Sequence, residues 1–117
     1  MRWLRTAITS VFIVVANVGN ASEYSPLNCS RSESAAEKAI CNSYALGQSQ
    51  ARMATLFGIA TSMVAMGQRG DIKDAQRKWL QTREACGERI PCLTESYAAR
   101  ISALNEIIDG IASRGPY

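Results

Sequence analysis

Four cysteines, Cys29, Cys41, Cys86 and Cys92, carry the most definite chemistry in this chain, either oxidation to disulfides or metal ligation. The Cys-x2-4-Cys spacing of a zinc knuckle is absent, and there is no histidine to complete a mixed site. Without histidine, Ser-His and Cys-His nucleophile arrangements are also impossible. Carboxylates do stand one helical turn apart, Glu84 with Glu88 and Asp71 with Asp74, and such pairs could share acid–base work. Solvated helix faces carry such pairs routinely, however, and no sugar-binding cleft is recognisable around them. Gly67, Gly70 and Gly87 punctuate helices and belong to no phosphate-cradling loop. The expectation is a protein that is not an enzyme, with no catalytic residue, no cofactor and no metal.

A second constellation lies between Gln76 and Leu104. Gln76, Trp79 and Arg83 fall at i, i+3 and i+7 on one helix face, and Tyr97 and Arg100 neighbour each other on the next helix. Two readings follow. Trp79 and Tyr97 fill the core while Arg83 or Arg100 pairs with Glu37 and Gln76 completes the hydrogen bonds, or Trp79, Arg83 and Arg100 form an exposed recognition patch. The first is preferred here, and a buried arginine then requires a partner for its desolvated charge.

The elements that position these residues are helical. Between Cys86 and Cys92 stand Gly87, suited to the left-handed residue that ends a helix, and Pro91, suited to the first position of the next. A Cys86–Cys92 bridge would close that corner. Ser34-Ala35-Ala36-Glu37 is a capping box that starts a helix, placing Cys41 on its second turn, facing the segment with Cys29. The nested pairing, Cys29 with Cys92 and Cys41 with Cys86, needs equal spacings in two antiparallel helices. The two segments would differ by about 9 Å of helical rise, so sequential pairing is preferred, each bridge stabilising by about 2 to 3 kcal/mol.

From Ser34 to about Gly67, Ala36, Ile40, Leu46, Met53, Phe57, Ala60 and Val64 recur at three- and four-residue steps, which predicts one long helix or two divided near Gly47. Gln68-Arg69-Gly70 reads as a turn, with Asp71 as the next N-cap. Ile72, Ala75, Trp79 and Cys86 set a third helix against the core, and Leu93, Tyr97, Ile101, Leu104, Ile108 and Ile111 form the stripe of the last, before Gly115 and Pro116. No alternating strand pattern appears. The fold class expected is all-α, a small bundle of three or four helices stapled by two disulfides.

The N-terminus places Arg2 and Arg5 before an apolar stretch from Ala7 to Val18 and small residues Gly19 and Ala21, the layout of a secretory signal peptide over residues 1–21. The apolar stretch falls short of the ~20 residues that cross a bilayer. Residues 22–117 then form one domain, periplasmic or secreted, with no membrane association after cleavage. Loss of Arg2 and Arg5 lowers the formal charge from +3 to +1, which gives no support for nucleic-acid binding.

The run Cys29, Glu37, Ile40, Cys41, Leu46, then Gln76-Arg77-Lys78-Trp79-Leu80, Arg83-Glu84-Ala85-Cys86, Cys92-Leu93, Tyr97 and Arg100-Ile101 resembles the N-terminal domain family named after LprI, a bacterial lysozyme inhibitor. The resemblance covers nearly all of residues 22–117. It departs in the second helix, where a Leu-Asp pair and a later Tyr in the family pattern correspond to Ser49, Gln50 and Phe57, so that the aspartate is absent. The resemblance implies an exported helical module, with lysozyme or another peptidoglycan-cleaving enzyme as the possible partner. The corner Gly87-Glu88-Arg89-Ile90-Pro91 is the stiffest candidate to enter such an enzyme's cleft, with Glu88, Arg89 and Ile90 as contact residues and Arg89 as its only cation. The alternative is an envelope interaction module with a different protein partner, for which Met53, Met63 and Met66 would supply adaptable contacts if exposed.

Overall fold

The structure is a computed structural model and describes residues 27–114. The leader expected over residues 1–21 lies outside the described residues, as do the closing Gly115 and Pro116. Among the described residues the fold is all-α, with four helices and two disulfides. A short 3-10 turn, Cys29–Arg31, precedes α1 (Ala35–Cys41), α2 (Tyr44–Ser62), α3 (Met66–Ala85) and α4 (Ile90–Ala112).

Each helix start has a local reason or a conspicuous lack of one. Ser34 and Glu37 form the capping box of α1, the Glu37 N–H donating to Ser34 Oγ at 3.0 Å. Ser43 caps α2 by accepting from the Leu46 N–H at 3.3 Å. The interruption therefore falls at Asn42–Ser43 and not at Gly47, which lies inside α2. Ile40 and Leu46 are six residues apart, about 120° out of phase on a continuous helix, so both can face one core only if the chain is re-aimed between them. Ala65 precedes α3 with no side-chain cap, and the expected turn at Gln68-Arg69-Gly70 is helical, as is Asp71.

Hydrogen bonds between helices give the topology. From Gln76 to Arg83 along α3, the partner on α2 moves back from Met53 to Gln50. Arg100 of α4 meets Gln76 and Ile72, while Trp79 meets Ser96 further back on α4. α3 is thus antiparallel to both, and α2 runs parallel to α4, its most extensive packing partner. Leu46, Met53, Phe57 and Ala60 of α2 and Leu93, Tyr97, Leu104 and Ile111 of α4 are all buried, along with Ala36 and Ile40 of α1, Val64 of the turn after α2 and Ile72 of α3. Burying a side chain such as Phe57 contributes roughly 1.5–3 kcal/mol. Ile101 and Ile108 are only half-buried, and Ala75 is exposed because Gln76 takes the inward position.

Both disulfides lie at the end where α2 and α4 begin. Cys29–Cys41 ties the 3-10 turn to the end of α1 with Cα atoms 5.6 Å apart, and Cys86–Cys92 ties α3 to α4 at 5.5 Å.

Candidate functional site

Gln76, Trp79, Arg83, Tyr97 and Arg100, among the residues that carried the resemblance, form a buried polar cluster. Trp79, Arg83, Tyr97 and Arg100 are each 9 % exposed or less. Trp79 meets Tyr97 edge-on with ring centroids 5.1 Å apart and donates its indole N–H to the Ser96 carbonyl at 2.9 Å. The Arg83 guanidinium carbon lies 5.8 Å from the Trp79 ring centroid, at the outer limit of a cation–π contact. Gln76 accepts from Arg100 Nε at 2.8 Å and donates to Met53 Sδ at 3.2 Å, so it does complete the hydrogen bonding between helices.

Arg83 reaches Glu37 as expected, but a second carboxylate, Glu84, stands closer to it. Arg83 Nη2 is 2.7 Å from Glu84 Oε1 and 3.9 Å from Glu37 Oε1, because Glu37 spends Oε2 on the Glu33 N–H at 2.9 Å in the capping of α1. Adjacent helix residues do not face each other, which is why Glu84 reads from sequence as a solvated carboxylate. Burial alone would weaken the hold of Arg83 on its proton, but the bond to Glu84 and the facing Tyr97 reverse the balance and raise its pKa. Burial alone would likewise raise Glu84, and the Ser34 hydroxyl, the Arg83 hydrogen bond and the Arg83 charge together hold it below the usual carboxylate range. Burial pushes the Tyr97 hydroxyl up and Arg100 down. Arg100 has neutral partners, Gln76 Oε1 and the Ile72 carbonyl at 3.3 Å.

Gln50, standing where the resemblance calls for aspartate, is a member of this cluster that the sequence did not announce. It is buried, and its Oε1 accepts from the Tyr97 hydroxyl at 2.6 Å and faces Arg83 Nη1 at 3.5 Å, the limit of hydrogen-bonding distance. A neutral amide oxygen thus does the accepting, and the charge of Arg83 is met by Glu84 instead. Its signal was present in the spacing, since Gln50 falls between Leu46 and Met53 on the apolar face of α2.

The bend behind this cluster is built differently. Gly87 takes φ +56°, and Cys86 caps α3 while Arg89 is the N-cap residue of α4. Pro91 sits in the first turn of α4, where its missing N–H costs nothing. Arg89 folds back, donating from Nε to the Cys86 carbonyl at 3.1 Å and from Nη2 to the Ala85 carbonyl at 3.3 Å, a cation placed on the negative end of α3. Arg89 remains exposed but is committed to these carbonyls, and it shares the outer face of the bend with the exposed Glu88 and with Ile90, which is 45 % exposed. At the opposite end of the bundle Met63 and Met66 are exposed beside Ile59, while Met53 is core.

Among the described residues no cluster of three or more His, Cys, Asp or Glu is placed to hold a metal ion, and no helix is long and apolar enough to cross a membrane. Comparison of the chain with family models, curated proteins and solved structures returned no match.

Proposed function

We propose that this chain is an exported, non-enzymatic helical binder of the lysozyme-inhibitor type, which presents the bend closed by Cys86–Cys92 to the glycan cleft of a peptidoglycan-cleaving enzyme. One contrast carries the reading. Trp79, Arg83, Tyr97 and Arg100 are turned inward, whereas Ile90 stands exposed on a disulfide-closed bend whose arginine is already fixed. A rigid apolar tip loses little conformational freedom on binding. It would inhibit by occlusion, filling a cleft whose carboxylates are held apart for a sugar and a water, with no bond made or broken. The expected leader and the paired cysteines support export to an oxidising compartment. A formal charge of +1 on residues 22–117 gives no long-range attraction to a basic lysozyme, so association would rest on short-range fit.

The oxidised protein should be titrated against chicken-type and goose-type lysozymes and lytic transglycosylases in a cell-wall lysis assay. Inhibition that is lost in Ile90→Asp with an unchanged melting temperature is the expected result. No inhibition of any of them at tens of micromolar would sink the proposal. The other reading, an envelope interaction module, is favoured by one observation, the exposed Ile59, Met63 and Met66 at the far end. A partner held there would be lost in Met66→Glu and unaffected by Ile90→Asp, the reverse of the inhibitor pattern.

A further inference from the structure

Between α1 and the beginning of α2 lies a cleft of about 380 Å³, away from the exposed tip of the bend. Its walls include Leu27, Ile40, Ala51 and the Cys29–Cys41 disulfide, with Gly47 beside them, and none of its lining residues is charged. Small-molecule sites have this character, an apolar concavity of a few hundred Å³ with few polar groups that set orientation.

Of the polar residues that line it, Ser43 caps α2 and Gln48 donates to the Tyr44 hydroxyl, which leaves Gln50, a lining residue only 8 % exposed, as the buried polar group. Its orientation follows from its neighbours. The Arg83 guanidinium can only donate, and with the Tyr97 hydroxyl it holds Gln50 Oε1 toward the core. The Nε2 amide is then the polar atom that Gln50 offers to the cleft, and no described residue accepts from it.

We propose that this cleft binds a neutral, mainly apolar small molecule carrying one carbonyl-type acceptor. The acceptor takes the Gln50 Nε2–H, and the apolar body lies against Leu27, Ile40 and the disulfide. An ionised ligand is selected against, because its charge would be desolvated with no opposite charge in the lining.

The test is a fluorescence titration of the oxidised protein with prodan, a neutral naphthalene ketone whose emission moves to the blue on leaving water. A ketone-free dimethylaminonaphthalene and an anionic anilinonaphthalene sulfonate serve as comparisons. A Cβ built at Gly47 meets nothing within 4 Å, so Gly47→Leu can fill the cleft without a backbone clash and improves helix propensity. Expected are saturable one-to-one prodan binding, weaker binding of both comparison dyes, and a loss of roughly tenfold or more in Gly47→Leu as apolar burial is removed. Gln50→Met should bring prodan down to the level of the ketone-free dye. Absence of saturable binding up to the solubility of prodan, or equal affinity in a folded Gly47→Leu, would overturn the site, and equal affinity for the ketone and ketone-free dyes would overturn the part given to Gln50.

Discussion

The bend from α2 into α3 and the bend from α3 into α4 meet one requirement with the same side chain. Carbonyls at a helix C-terminus have no intrahelical partner and carry the negative end of the dipole. In each bend an arginine just beyond it reaches back to them. Arg69 donates to the Thr61 carbonyl at 2.8 Å and the Val64 carbonyl at 3.1 Å, and Arg89 to those of Cys86 and Ala85 at 3.1 and 3.3 Å. The second bend adds Gly87 at positive φ, Pro91 and a disulfide, whereas the first has none of these and leaves Met63 and Met66 exposed. The lesson is that the covalent staple is not needed to satisfy a helix end. What it adds is a fixed shape for the exposed Ile90.

The largest expected effect tests whether that division of labour is real. Replacing Cys86 and Cys92 together by alanine should lower stability by about 2 kcal/mol on the loop-entropy account. Arg69→Ala should cost about 1–2 kcal/mol, since it removes two charge-assisted bonds from a half-buried side chain at the unstapled bend. Arg89→Ala should cost less while the disulfide is intact, and more once it is gone. Urea denaturation of the single and combined variants supplies the double-mutant cycle. Equal costs for the two arginines, or no coupling between Arg89 and the staple, would remove the distinction between the bends.

The two bends also differ in how far they could be read from the sequence. Gly87, Pro91 and the cysteines each impose a backbone or covalent constraint, so the α3–α4 corner is legible from residue types, and the cysteine spacings favour the sequential pairing that the structure has. Gly67 and Gly70 have the same composition signal and mislead, because the α2–α3 turn falls at Met63–Ala65 and is fixed by Arg69, whose partners are carbonyls eight and five residues back. Tertiary hydrogen bonds of that kind leave no periodic trace. The core was legible for the same reason the corner was, as Leu46, Phe57, Tyr97 and Leu104 repeat at helical spacing, while Gln50 and Glu84 depended on which side chains meet in space. The contrast predicts opposite signs for one substitution. Gly87→Ala should destabilise by about 1 kcal/mol because φ is +56° there. Gly70→Ala should stabilise by about 0.5–1 kcal/mol, since its added Cβ meets nothing within 4 Å in a helix interior. Thermal melts of the two variants decide it, and a shift in the same direction for both would contradict the assignment of the turns.

The smallest effect concerns charge. At the stapled end Glu84 is paired with Arg83 at 2.7 Å, and its carboxyl lies below the usual range, with burial opposing and the Ser34 and Arg83 contacts prevailing. A folded-state value below the unfolded one means that the unfolded chain takes up the proton first as pH falls. The stabilisation from Glu84 is therefore complete above the unfolded carboxylate value of about 4.3, and is lost as pH falls through the lower folded value. The Glu84 side chain is 38 % exposed, so solvent screens the pair and the change is small. At the other bend Arg69 holds backbone carbonyls, which do not titrate. Urea midpoints followed from neutral pH into the acid range should fall less steeply in Glu84→Gln than in the parent chain, while Arg69→Ala should lower the whole curve without changing its acid slope. If Glu84→Gln and the parent lose stability along the same acid slope, Arg83 does not draw on Glu84 for its charge, and the weaker contact to Glu37 at 3.9 Å becomes its counterion.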